Sequence, residues 1–286
     1  MRTGDEIYRA IQSKARSDAA SSGKPTPTAE YLTRHALESF LFRLTRTEHA
    51  DSFVLKGGIL LAAYGVRRPT KDLDAEAIGA AVTPEHLTQV VHDIAAVEAE
   101  DGVDFDLETI TVQEIRDEAE YPGLRLRVSI RIGSWKGVVA WDIATGDPIV
   151  PMPQTVKIPR LLGAGIEVTG YRPETVIAEK GVTILERGTI STRWRDYIDI
   201  VQLPAQYDID KDDLRRSAEA VAEYRNVDLK PISPVVKGYG AIAQAKWAAW
   251  RRKEGVEDIS EENLDDQMAL VVAVLDPVFG SAAPES

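Results

Sequence analysis

Apolar residues recur at helical spacing over residues 5–18 and again from Thr28 to about Thr47, where Leu32, Ala36, Phe40 and Leu44 line one face. Between them the run Ala19–Lys24, followed by Pro25 and Pro27, reads as a loop, and Thr28 is placed to cap the second helix. Ser52–Lys56 is a short apolar strand. Gly57-Gly58 ends it, and the following ILLAAYG is a buried helical run of about two turns. Asp72–Ile78 then alternates carboxylate with apolar, the period of a strand. Thr83-Pro84-Glu85 opens another helix with proline at its first position.

Three more strands are predicted over 104–112, 124–132 and 138–144, with Gly133-Ser134 joining the last two as a hairpin. Residues 145–172 are rich in Gly and Pro and read as loop with short strands. From Pro173 the periodicity is helical, over 173–187, 194–203, 211–226, 235–253 and 260–275. The pattern is that of an α+β protein: a mixed sheet flanked by helices, then an all-helical C-terminal half. The expected domains are residues 1–165 and 166–286.

Composition narrows the chemistry. The 286 residues include no cysteine, which excludes disulfides, thiolate zinc sites and a cysteine nucleophile. Four histidines argue against a histidine-rich metal site. No apolar run approaches the ~18–20 residues needed to span a bilayer. The N-terminal stretch is charged and helix-like with no signal h-region, so a cytoplasmic protein without membrane contact is expected. The net charge is −12, but it is polarised. Residues 71–121 hold 15 acids against 2 bases, whereas residues 230–253 hold 6 bases and no acid.

The segment Lys56–Asp74, KGGILLAAYGVRRPTKDLD, carries the most chemistry. Asp72 and Asp74 are two apart in a predicted strand and so point the same way. Two carboxylates held together repel, and a divalent cation relieves the repulsion. A Gly-Gly pair at a strand-to-helix junction lets backbone N–H groups approach a phosphate closely. A third acid on a neighbouring strand would complete a two-metal site, and Asp142 in VVAWDIA is the natural candidate. Glu76 continues the alternation and offers a candidate third ligand, but reads rather as part of an acidic face.

These residues, KGG-I-L-L followed by R-x-T-K-D-L-D, resemble the first motif of the nucleotidyltransferase superfamily, and more narrowly of the AbiEii/AbiGii toxin family of type IV toxin–antitoxin systems. Pro173–Lys180 is similar to that family's E-x-x-x-A-x-K helix, and Arg193–Leu203 to its R-x-[KR]-D-x-x-D-[IL] helix. The resemblance covers about residues 50–205, and no motif is recognisable outside it. It implies a polymerase-beta-like fold and Mg²⁺-dependent transfer of a nucleotide from an NTP, with Mn²⁺ as an alternative ion. The implied acceptor is a tRNA 3′ end, with translation blocked as a result, and a cognate antitoxin protein is the implied partner. A nucleotidyltransferase of the same fold modifying a protein or small-molecule hydroxyl is the alternative.

The resemblance also implies roles. Gly57 and Gly58 cradle the triphosphate, helped by Lys56, Arg68 and Thr70, while Asp72, Asp74 and Asp142 bind metal. Lys180 faces the triphosphate, and Asp196 or Asp199, three apart on one helix, holds Lys180 or positions acceptor or metal; Asp199 is favoured. For an acceptor surface, Lys230, Lys237, Lys246, Arg251, Arg252 and Lys253 interleave with Tyr239, Trp247 and Trp250. Trp247 and Trp250 share a helix face and read as core. Arg125, Arg127 and Arg131 form a stripe by odd parity that either faces nucleic acid or offsets the neighbouring acidic strand, the second reading being favoured.

Overall fold

The structure is a computed structural model that describes residues 3–23, 26–66, 69–79, 82–115 and 123–280. The chain divides into two compact units. The first holds Met1–Ala63, Pro69–Gly146 and Thr155–Gly170; the second holds Tyr64–Arg68, Asp147–Gln154 and Tyr171–Ser286.

The first unit is built on strands β1 (Phe53–Lys56), β2 (Leu73–Ala77), β3 (Asp104–Glu114), β4 (Gly123–Ile132), β5 (Trp135–Thr145), β6 (Gln154–Ile158) and β7 (Ile166–Gly170). They form one sheet in the order β3-β4-β5-β2-β1-β7-β6. Antiparallel β3–β4–β5 and β1–β2 ladders are joined by parallel β2–β5 and β1–β7 pairs, so the sheet is mixed. The Gly- and Pro-rich stretch thus supplies two short strands, as read. The predicted β4–β5 hairpin forms with Ile132 opposite Trp135.

Strand alternation splits this sheet into two chemically different faces. Leu55, Leu73, Ala75, Leu126, Val128, Val139, Trp141 and Ile143 are all buried on one side. Helix α2 (Thr28–Leu44) packs on that side, with the Phe40 ring 5.4 Å from Trp141. The opposite side carries Lys56, Asp74, Glu76, Asp142 and Arg125. An apolar face that must be covered and a charged face that need not be therefore decide where chemistry is available.

Helix α1 (Gly4–Ser22) opens with a capping box in which Thr3 and Glu6 exchange hydrogen bonds, and buries Ile7, Ile11 and Ala15. Thr28 proves to be the first helical residue of α2, with Pro27 in the extended cap position and no side-chain cap bond. After β1 comes the short helix α3 (Gly57–Leu61). Thr83 caps α4 (Pro84–Ala96), as its sequence predicts. Inside this unit Arg43 reaches Asp101 at 2.6 Å. Burial alone would raise the Asp101 carboxyl, but the guanidinium holds it below the usual range.

The second unit is helical: α5 (Pro173–Arg187), α6 (Trp194–Gln206), α7 (Lys211–Tyr224), α8 (Ser233–Val236), α9 (Tyr239–Glu254) and α10 (Leu264–Phe279). The single helix expected over 235–253 is broken at Gly238, whose φ of +75° leaves the helical region. Trp194, Trp247 and Trp250 form an aromatic cluster, with Trp247 and Trp250 stacked 5.3 Å apart. No helix among the described residues is long and apolar enough to cross a membrane.

Candidate active site

In the first unit the chain leaves β1 at Lys56 and turns at once into α3 through Gly57, whose φ is +69°. A Cβ on Gly57 would sit 1.9 Å from Asp74 Oδ2. Only glycine both adopts this conformation without strain and lets the backbone lie against the carboxylate. Gly58 follows, buried, in the first turn of α3.

Strand register aligns the charged residues. Lys56 pairs with Asp74, Asp74 with Asp142, and Asp142 with Arg125. Directly paired residues share a face, so cation, acid, acid and cation form one row across β1, β2, β5 and β4. Asp72 lies in the bend just before β2 rather than within the strand, and Thr70 two residues earlier in coil. Arg67 and Arg68 lie outside the described residues.

Two ion pairs engage residues of this face. Glu76, read as part of a solvated acidic face, is only 1% exposed and accepts a 3.0 Å bond from Lys56 Nζ. A buried carboxylate needs such a partner, and the antiparallel register supplies it by bringing Lys56 diagonally beside Glu76. Arg125 grips Asp142 with two bonds, Nε–Oδ1 at 2.7 Å and Nη2–Oδ2 at 2.5 Å. With Arg131 reaching Asp104 at 3.5 Å, the arginine stripe does offset neighbouring acids.

The donor set fits a hard divalent cation: carboxylate oxygens on adjacent strands, beside a glycine whose missing Cβ leaves room at Asp74. The ligand oxygens of Asp72, Asp74 and Asp142 do not all gather within 4.8 Å. Among the described residues the group of three that does so is Glu48, His49 and Asp93. Asp142 is instead engaged by Arg125 of β4.

In the second unit Lys180 on α5 contacts Asp196 Oδ1 and lies 3.0 Å from Asp199 Oδ2, both on α6. The three-residue spacing on one helix turns both acids to the same cation. Asp199 is fully buried. Arg193 adds a 2.9 Å bond to Asp196 Oδ2. Burial alone would raise the Asp196 carboxyl, but Lys180 and then Arg193 outweigh it and hold it down to about 2.

That depression has a pH consequence. A carboxyl lowered from 3.8 to about 2 contributes on the order of 2 kcal/mol of stability, fully present above its unfolded value and lost as pH falls towards 2. The stability gap between wild type and Asp196→Asn is therefore expected to be widest near neutral pH and to close on acidification. Urea unfolding at pH 7 and pH 2.5 checks this, and a gap independent of pH would contradict it.

The basic, aromatic stretch of 230–253 separates into two populations. Tyr239 and Trp247 are buried, and Arg251 is buried and bonded to Ser260 and to the Glu257 carbonyl. Lys230, Lys237, Lys246, Arg252 and Lys253 are exposed.

A mixed sheet with a Gly-Gly turn against a strand carboxylate fits the nucleotidyltransferase class that the sequence motifs resemble, and comparison with known proteins shows it. The model of the nucleotidyl transferase AbiEii toxin family, type IV toxin–antitoxin system, matches residues 39–270. The chain belongs to that family and is a nucleotidyltransferase toxin. Among solved structures it is similar to JHP933 from Helicobacter pylori, with a TM-score of 0.50 and 14% identity over 87% of this chain and 91% of that one. A second, described as a candidate nucleotidyltransferase from H. pylori, has a TM-score of 0.49 and 12% identity over 87% and 94%. At such identities the first likeness speaks to fold alone. No protein in the curated set matches this chain.

Proposed function

We propose that this toxin transfers a nucleotide from an NTP to a tRNA 3′ end in a Mg²⁺-dependent reaction, so blocking translation, and that a cognate antitoxin restrains it. The observation that carries the catalytic part is the row Lys56–Asp74–Asp142 with the Gly57 backbone against Asp74. Asp72 and Asp74 are the metal ligands in this reading, with Asp142 as third acid. A bound Mg²⁺, or Mn²⁺ in its place, supplies charge neutralisation at the reacting phosphorus. Gly57 and Gly58 offer backbone N–H groups to the triphosphate, and Thr70 and Arg68 lie in the same motif. The acceptor oxygen bonds to the α-phosphorus as the bond to pyrophosphate breaks, and the hydroxyl proton leaves to a carboxylate or water.

Lys56 is held by Glu76, so its ammonium is oriented before substrate arrives. Lys180 is the second cation assigned to the triphosphate. Asp196 and Asp199 orient it, and Asp199, fully buried, is suited to positioning rather than to proton exchange with solvent.

If Asp142 is a ligand, Arg125 competes with the metal for it. Arg125→Ala is then expected to lower the Mg²⁺ concentration giving half-maximal transfer, by about threefold to tenfold, while changing stability little because the arginine is half-exposed. An unchanged midpoint would remove Asp142 from the metal site.

The acceptor reading rests on family resemblance and on the exposed cations of 230–253. The burial of Tyr239 and Trp247 withdraws the stacking surface that stretch offered in sequence, and this favours keeping a second acceptor in view: a protein or small-molecule hydroxyl. Incubation with Mg²⁺, each α-labelled NTP in turn and total tRNA separates the two. Label at tRNA 3′ ends is the expected result. Label in protein or in a small product would establish the second reading, and no label in any fraction would overturn both.

A further inference from the structure

A second cluster of metal-ligating side chains lies in the first unit, apart from the row of acids. His49 sits in the turn that leads from α2 to β1, and its Nε2 is 2.8 Å from Asp93 Oδ2 on α4. Glu48 precedes it in the chain. One donor atom from each of Glu48, His49 and Asp93 lies within 4.8 Å of the other two.

Two further observations point to a ligand. The His86 ring, in the first turn of α4, stands edge-on to His49 with centroids 5.5 Å apart. Its Nε2 is buried and has no hydrogen-bond partner, a condition native proteins seldom leave without an ion or water. Asp93 is also held from behind, because Gln89 Nε2 donates to its other oxygen at 2.8 Å. Support of this kind fixes a metal ligand before the metal arrives. His49 thus meets two carboxylates, and the His86 ring packs against its own.

We propose that Glu48, His49, His86 and Asp93 form a binding site for a divalent transition-metal ion of the Zn²⁺ type. Two imidazoles and two carboxylates are a borderline donor set that suits Zn²⁺ and gives little preference to Mg²⁺. Ligands around one such ion stand about 3.4 Å apart in a tetrahedron of ~2.1 Å bonds, so the donor atoms of Glu48, His49 and Asp93, now within 4.8 Å of one another, draw together on binding and the neighbouring His86 ring turns in to complete the set. The ion replaces the His49–Asp93 hydrogen bond and ties α4 to the turn that begins β1, the strand that ends at Lys56. Its role is structural.

The site is tested by titrating Zn²⁺ alone into the full-length Asp74→Asn protein, which keeps the acids of the sheet from contributing, and by following the visible absorption of added Co²⁺. The expected result is one ion per chain, a tetrahedral Co²⁺ spectrum, a raised Tm with Zn²⁺ and no displacement by millimolar Mg²⁺. Adding His49→Gln or Asp93→Asn is expected to abolish binding, and His86→Ala to weaken it about tenfold or more. His86 lies in the first turn of α4 and is only part-buried, so its variant keeps the test valid should a His49 variant not fold. Absence of Zn²⁺ binding, or binding unchanged by His86→Ala and Asp93→Asn, would overturn the proposal.

Discussion

Lys180→Met is expected to destabilise the protein by about 3–5 kcal/mol, the usual cost of removing one member of a buried ion pair. Lys180 is the cation shared by Asp196 and Asp199, and Asp199 is 0% exposed. Without the ammonium, Asp196 keeps Arg193, while Asp199, fully buried, loses the cation 3.0 Å from its Oδ2. Urea unfolding at neutral pH measures the loss. Lys180→Arg should recover part of it by keeping a positive charge, and adding Asp199→Asn to Lys180→Met should recover part by removing one buried negative charge. A loss below about 1 kcal/mol, the scale of a solvated pair, would contradict the packing described for α5 and α6.

Gly57→Ala is expected to reduce nucleotide transfer about a hundredfold, the effect of displacing a reacting group by roughly an ångström. The new Cβ would stand 1.9 Å from Asp74 Oδ2 and 2.5 Å from Cγ, so the carboxylate must move. Left-handed backbone at a non-glycine residue adds about 1–2 kcal/mol of strain. Gly23 separates the two effects. It caps α1 with a φ of +68°, and nothing lies within 4 Å of a Cβ placed there. Gly23→Ala should therefore carry the backbone cost and leave transfer unchanged. Equal activity losses in the two variants would show that the strain, not the contact with Asp74, was responsible.

Much of this arrangement is legible in sequence, for identifiable reasons. Helix α5 begins at Pro173 and ends at Arg187 as predicted, because proline at the first turn and Gly188 after the last are strong local signals. The β4–β5 hairpin is equally local. Once Gly133-Ser134 sets Ile132 opposite Trp135, the register alone places Arg125 opposite Asp142. That ion pair was therefore available to a sequence reader who counted back along both strands.

The rest depends on contacts that spacing does not encode. Glu76 looks like any acid on an alternating strand until the antiparallel β1–β2 register brings Lys56 to it. The pairing of Leu55 with Gly170 joins segments far apart in the chain, so no local pattern announces it. Trp247 and Trp250, three apart on a helix, would suit a stacking surface or a core equally well; contact with Trp194, on another helix, goes with a buried Trp247 and a part-buried Trp250. Asp72 and Asp74 were read as strand neighbours, yet β2 starts at Leu73.

The most direct measurement is nucleotide transfer by wild type and Asp74→Asn side by side, with Mg²⁺, α-labelled NTP and the acceptor fraction, on samples shown to unfold at the same urea concentration. Loss of an acid that holds the metal is expected to remove several kcal/mol of transition-state stabilisation, a rate fall of about a thousandfold or more. Transfer by Asp74→Asn within about tenfold of wild type would contradict the assignment of the row of acids on β2 and β5 as the catalytic centre.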